Sequence, residues 1–209
     1  MKNKKSVGGF LPLTPRGMAG PRETTGLETP PQAEADLGQR TIRILLSRFS
    51  DPLSTLLSVL TLFHYTHASI GLGEEGDVFY SFVFQGFVTE RLGRWAQGQG
   101  APRSCAPYEV PVPEAAYQKA KAVLEDMARR REDYRYDPFG LVLSILRIPH
   151  AVRGRFFCSQ FVAYVLGESR AFRLEKSCSL YFPRDLSRLP GLRLVFQGEV
   201  GGHALGALA

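Results

Sequence analysis

The chain has little cysteine and few of the other soft residues from which metal sites are built: three cysteines, four histidines and three methionines in 209 residues. Cys105, Cys158 and Cys178 form no CxxC pair and no metal-ligand spacing. That excludes a zinc-ribbon type of site and a disulfide framework, and it leaves three reduced thiols, which fits a cytoplasmic setting. Long apolar runs are missing too. The longest, Leu53 to Phe63, is interrupted by Ser54, Thr55, Ser58 and Thr61 and falls short of the about 20 residues that cross a bilayer, so no transmembrane segment is expected. Lys2, Lys4 and Lys5 look like the start of a signal peptide, but Gly8, Gly9, Pro12 and Pro15 break the apolar stretch that should follow, and no export signal is read. Nor is there a block of one charge. The 26 Lys and Arg residues outnumber 20 Asp and Glu for a net charge of +6, yet they are spread along the chain. With no recognised binding motif beside them, no nucleic-acid partner is expected.

What is present is an ordinary globular composition, 44% hydrophobic and 22% charged, enough for one sizeable core. Residues 1–38 are rich in Gly, Pro, Thr and Glu without periodicity and read as a disordered N-terminal tail; residues 39–209 read as one domain. Within it, Thr41 to Leu46 is a predicted strand. Asp51-Pro52 followed by Leu53, Leu56, Leu57 and Leu60 predicts a helix with an Asp cap and Pro at its first position. His67 to Leu72 and Val78 to Phe84 predict two strands about the turn cluster Gly73 to Asp77. Val88 to Gln99 fits neither template. Tyr108 to Val112 predicts a strand, and Pro113-Glu114 opens a helix with Ala116, Ala120, Val123, Leu124 and Met127 at helical spacing. Phe139 to Ile148 predicts a short buried helix, Ser159 to Leu166 a helix with Cys158 at its start, and Leu192 to Phe196 a closing strand.

Two segments carry chemistry. In Phe63 to Leu72, His67 leads an alternating run, so a strand would hold its imidazole on one face of a sheet. In Phe156 to Leu166, Cys158 sits where a helix begins, and the partial positive charge of a helix N-terminus lowers a thiol pKa. An imidazole nearby would accept the thiol proton or pair with the thiolate. Each residue also has a plain structural reading: Cys158 among Phe156, Phe157 and Phe161 as a core residue, and His67 as a satisfied strand histidine. His64 and His67 lie three apart, but no Asp, Glu or Cys cluster completes a ligand set, so neither a metal nor a cofactor is expected.

Taken together, the order strand, helix, Tyr65-Thr66-His67-Ala68-Ser69-Ile70-Gly71-Leu72, then Tyr80-Ser81-Phe82, Gly86-Phe87 with Glu90, a long helix and the Cys158 helix resembles the permuted branch of the NlpC-type, papain-like cysteine peptidases and amidases, especially its YiiX-like members. With Tyr136 and Phe196-Gln197-Gly198, the likeness runs from about Thr41 to Gly198. The resemblance implies an α+β, circularly permuted papain-like fold with a central antiparallel sheet packed against helices, Cys158 as nucleophile and His67 as base. It further implies a polar residue on the next strand that orients the imidazole. Only Tyr80 and Ser81 are polar there, and Ser81 stands where the resemblance leads one to expect a carboxylate, an amide or a second histidine. The implied activity is hydrolysis of an amide or peptide-type bond through an acyl-enzyme, on a peptide, amide or acyl-lipid substrate. Two alternatives stay open: a catalytically inactive binding or structural member, and a lipid acyltransferase resembling the lecithin retinol acyltransferase group.

Overall fold

The computed structural model describes residues 39–96 and 100–199. The expected tail and the last ten residues of the expected domain lie outside the described residues. The fold is α+β, with a mostly antiparallel sheet and helices. Its middle strand, β1 (Gln39–Arg48), is longer than predicted and is buried over Ile42 to Ser47. A strand buried on both faces needs a partner on each edge. β2 (His67–Leu72) pairs along one side, and β5 (Ser104–Pro113) along the other from Gln39↔Pro113 to Arg48↔Ser104. Beyond β2 follow β3 (Val78–Val83) and β4 (Gly86–Arg91), a hairpin closed by Phe84-Gln85, with Gly86 at a φ of 105°. β4 and the short helix α2 (Leu92–Ala96) occupy the described part, residues 88–96, of the segment that fits neither template, and residues 97–99 lie outside the described residues. The closing strand is reduced to β8 (Arg193–Leu194), and a second two-residue strand, β9 (Gly198–Glu199), also joins β5.

Helix α1 (Pro52–Thr61) starts where the sequence predicts, with Asp51 accepting a hydrogen bond from the Ser54 N–H at 2.8 Å. α3 (Glu114–Arg129) buries Ala116, Tyr117, Ala120, Leu124 and Met127, one stripe at helical spacing. A two-stranded parallel pair, β6 (Arg135–Tyr136) with β7 (Arg155–Phe156), ties the chain before α4 (Pro138–Ile145) to the chain before α5 (Cys158–Glu168). A single turn, α6 (Pro183–Leu186), follows. α4 corrects one expectation. The helix is present, but of its residues only Gly140 and Ser144 are buried, and Phe139 and Val142 are more than half exposed. An uncharged helix lying on the surface has the same composition as a buried one, so apolar content alone could not separate them.

Alternation along the strands divides the molecule into two cores. Ile42, Ile44, Leu46, Ala68, Ile70, Leu72 and Phe82 face α3 and α5, where they meet Leu124, Phe161, Val162 and Val165. On the reverse face, Leu45, Phe79 and Cys105 pack under Leu92 and Trp95. Close approach is enforced by Gly71, where an added Cβ would lie 2.8 Å from the Val78 carbonyl oxygen. Phe161, fully buried among Phe82, Phe87 and Phe156, joins α5 to the β3–β4 hairpin. Phe161→Ala is therefore expected to lower the unfolding free energy by about 3–5 kcal/mol in urea titrations; a loss below about 1 kcal/mol would show that this junction is not a packed core.

Candidate active site

Four elements meet at one end of β2. Because Ala68, Ile70 and Leu72 point into the helix-side core, His67 and Ser69 project from the other face. The Ile70↔Tyr80 pairing sets Ser69 opposite Ser81, and the Phe79↔Glu90 pairing brings Glu90 onto the same face of β4. The result is a small polar cluster in an apolar setting, walled by Phe49, whose ring meets that of His67 edge-on at 5.6 Å. The Nε2 of His67 lies 2.9 Å from Glu90 Oε1 and 3.0 Å from Ser81 Oγ. Ser69 donates to the other Glu90 oxygen at 2.6 Å, and Ser81 donates to the Ala68 carbonyl at 3.0 Å. Every oxygen that orients the ring is thus itself held.

Cys158 is the first residue of α5, and Phe157 before it offers no side-chain cap, so N–H groups of the first turn remain free to face an anion. Its sulfur lies 3.9 Å from the Thr66 carbonyl oxygen and is hydrogen-bonded by His67 and by the backbone N–H groups of Ala68 and Ser159. With Nε2 of the ring engaged by Glu90 and Ser81, the thiol meets Nδ1. Both side chains are nearly sealed from solvent, each residue 8% exposed.

The electrostatics follow from these contacts. Burial disfavours a charged imidazole, but the Glu90 carboxylate, and then the hydrogen bond and charge of Cys158, outweigh it and hold the His67 pKa up at about 10. Burial likewise pushes the Cys158 thiol up, but the hydrogen bond and charge of His67, with the N–H groups of Ala68 and Ser159, bring it below the ordinary thiol value. Each group thus favours the charged form of the other, the thiolate beside the imidazolium. The other two thiols go the opposite way: burial pushes Cys105 up to about 11 and Cys178 upward as well.

The predicted residues Cys158, His67 and Ser81 are thus brought together. His64 is kept away, its Nδ1 3.2 Å from an Arg48 nitrogen and its Nε2 2.7 Å from Ser104 Oγ; burial and then Arg48 and Arg103 lower its pKa. The role of Glu90 was missed. It lies one strand beyond the strand next to that of His67, in a segment with no clear pattern, and its one sequence signal is spacing: nine residues after Ser81 across a two-residue turn, which returns it to the same face. Tyr136 was also passed over as a site residue. β6 and the Asp137 N–H to Phe156 carbonyl bond, 3.0 Å, hold it beside the start of α5. Burial, then Cys158 and Asp137, push its phenol pKa up, so it stays protonated, and its hydroxyl has no hydrogen-bond partner among the described residues. A narrow slot of about 20 Å³, room for one water, is lined by Cys158, Tyr136, Leu57, Thr61, Leu141 and Phe182 among others.

The chain matches no family model, and a search among curated proteins gives no significant match.

The charged pair has a definite pH window. The thiolate forms above the depressed pKa of Cys158, and the imidazolium persists until the pH passes about 10. Iodoacetamide should therefore modify Cys158 at a pH below the ordinary thiol range, with Cys105 and Cys178 reacting only above it. His67→Ala should move the inflection upward, because burial is then opposed only by the backbone N–H groups of Ala68 and Ser159. Glu90→Gln should move it up part of the way, and His64→Ala should leave it in place. A shift with His64→Ala and none with His67→Ala would refute the assignment.

Proposed function

We propose that this chain is a cysteine hydrolase that cleaves an amide or peptide-type bond through an acyl-enzyme on Cys158. The reading is carried by one observation, the buried Cys158–His67–Glu90 chain, in which a thiol with lowered pKa opens a helix and its imidazole partner is fixed from behind by a carboxylate. The order of its parts, histidine strand before cysteine helix on an antiparallel sheet, supports the permuted papain-like arrangement. Glu90 supplies the carboxylate that Ser81 lacks, which weakens the inactive alternative. A reducing compartment such as the cytoplasm would keep the thiol available.

The mechanism runs as two acyl transfers. The Cys158 thiolate attacks the carbonyl carbon, a C–S bond forms, and the π electrons move to oxygen. The Cys158 N–H at the helix start and the protonated Tyr136 hydroxyl are the donors for this oxyanion. As the C–N bond breaks, the His67 imidazolium gives its Nδ1 proton to the leaving amine. The neutral imidazole then takes a proton from water as its oxygen attacks the thioester, and collapse returns the carboxylic acid and the thiolate. Glu90 and Ser81 keep the ring oriented throughout, with Glu90 stabilising the charged form at each proton transfer. An acyl-lipid substrate is the second reading, favoured by the leucine and phenylalanine lining of the slot.

Incubation with activated acyl esters and amides, followed by intact-mass measurement, should reveal one acyl group on the chain, absent in Cys158→Ala. Tyr136→Phe is expected to reduce kcat by roughly 10²-fold or more with KM little changed. Glu90→Gln should cost about 10²–10⁴-fold and Ser81→Ala less. An adduct that persists in Cys158→Ala would sink the proposal.

A further inference from the structure

The surface around the slot is unusual for a protein exposed to water alone. Neither α1 nor α4 carries a charged residue, and both turn large side chains outward: Leu56, Val59 and Leu60 from the first, 52–65% exposed, and Val142, Leu146 and Ile148 from α4 and the residues after it, 48–62% exposed. The two helices are neighbours, since Leu57 and Thr61 share the slot with Leu141, and Leu60 and Thr61 share an adjoining groove with Ser144 and Ile145. Apolar side chains scattered singly over a surface are ordinary; a contiguous set on two uncharged helices marks an interaction face.

The adjoining groove, about 530 Å³, indicates the partner. It is edged by Arg147, Arg184 and Arg188, all exposed and without an acidic partner among the described residues. Its one acid, Asp185, is held by Lys176 at 2.8 Å and by the Phe182 N–H at 2.8 Å. From residue 138 to residue 155 the chain has three arginines and no Asp or Glu. An apolar face bordered by unpaired guanidinium groups complements an anionic lipid surface, where apolar side chains enter the acyl layer and arginines meet phosphates. Self-association about a two-fold axis fits less well, because it would bring the same arginines of two copies towards one another.

We propose that the α1–α4 face docks this protein on a bilayer containing anionic phospholipid, with Arg147, Arg184 and Arg188 at the phosphates. Thr61 and Phe182 line both groove and slot, so the docked face carries the mouth of the Cys158 slot. Docking does not depend on Cys158 being reactive.

The test is co-sedimentation of the full chain with vesicles of phosphatidylcholine alone, or with a quarter of the lipid replaced by phosphatidylglycerol. The wild type and Cys158→Ala are expected to sediment alike, and mainly with the anionic vesicles. Arg184→Gln with Arg188→Gln should weaken partitioning roughly fivefold for each cation removed, and Val59→Ser with Leu146→Ser should weaken it tenfold or more. All four positions are exposed, so thermal melts of the variants should match the wild type. The proposal is overturned if neither vesicle carries the protein down, if either pair of substitutions leaves sedimentation unchanged, or if light scattering finds a dimer that Val59→Ser with Leu146→Ser dissociates.

Discussion

A thiol and an imidazole buried side by side at the end of a central sheet strand, each favouring the charged form of the other, set the terms for the rest of this structure. Removing each ion from water costs several kcal/mol even after relaxation, and their mutual attraction offsets this only when the remaining hydrogen-bonding positions are filled. Here they are filled from every side. The imidazolium has Glu90 and Ser81 behind it and Cys158 in front. The thiolate has the backbone N–H groups of Ala68 and Ser159 and the positive end of α5. Glu90 has Ser69 on its second oxygen. Loss of any partner leaves a charge in a low-dielectric setting, and that cost is larger than the contact itself.

The requirement reaches into the fold. Ser69, Ser81 and Glu90 sit on three consecutive strands, and a slip of one residue in either pairing would send its partner into the helix-side core. Register is held on that side by Ala68, Ile70, Phe82 and Phe87 against Phe161 and on the other by Phe79 under Leu92 and Trp95. The short β6–β7 pair adds a second fixed distance by setting Tyr136 beside the residues that lead into Cys158. Rigid elements on both sides of Cys158 and His67 hold the two side chains together.

Against this well-satisfied interior stands a surface that is not satisfied in the same way. The slot over Cys158 holds about one water's volume and is walled by side chains of α1, α4 and the Phe182 turn. Those same elements carry the exposed apolar side chains and border the arginine groove. The proposed docking face and the walls of the slot thus share residues, Thr61 and Phe182 among them.

Local chemistry was legible in the residues themselves. Asp51-Pro52 wrote the start of α1, the stripe from Ala116 to Met127 wrote α3, and the alternating His67 to Leu72 run wrote β2 with its observed ends. Cys158 at a helix start and His67 at a strand start could each be named, because capping and period-two alternation act over a few residues. Their meeting could not be read this way, since 91 residues separate them and only the packing of α5 on the sheet joins them. Glu90 was hidden for a similar reason: its place depends on the turn at Phe84-Gln85 and on the register of β3 with β4, and hydrogen bonds between strands leave no mark in the sequence of either one. The exposure of α4 is not legible in its residues because Phe139, Val142 and Leu146 satisfy a buried pattern equally well. The sequence by itself determined which side chains could carry a thiol reaction and which segments would be helix or strand; the tertiary structure alone decided which carboxylate backs the histidine and which apolar faces remain in water, because both are settled by contacts between segments far apart in the chain.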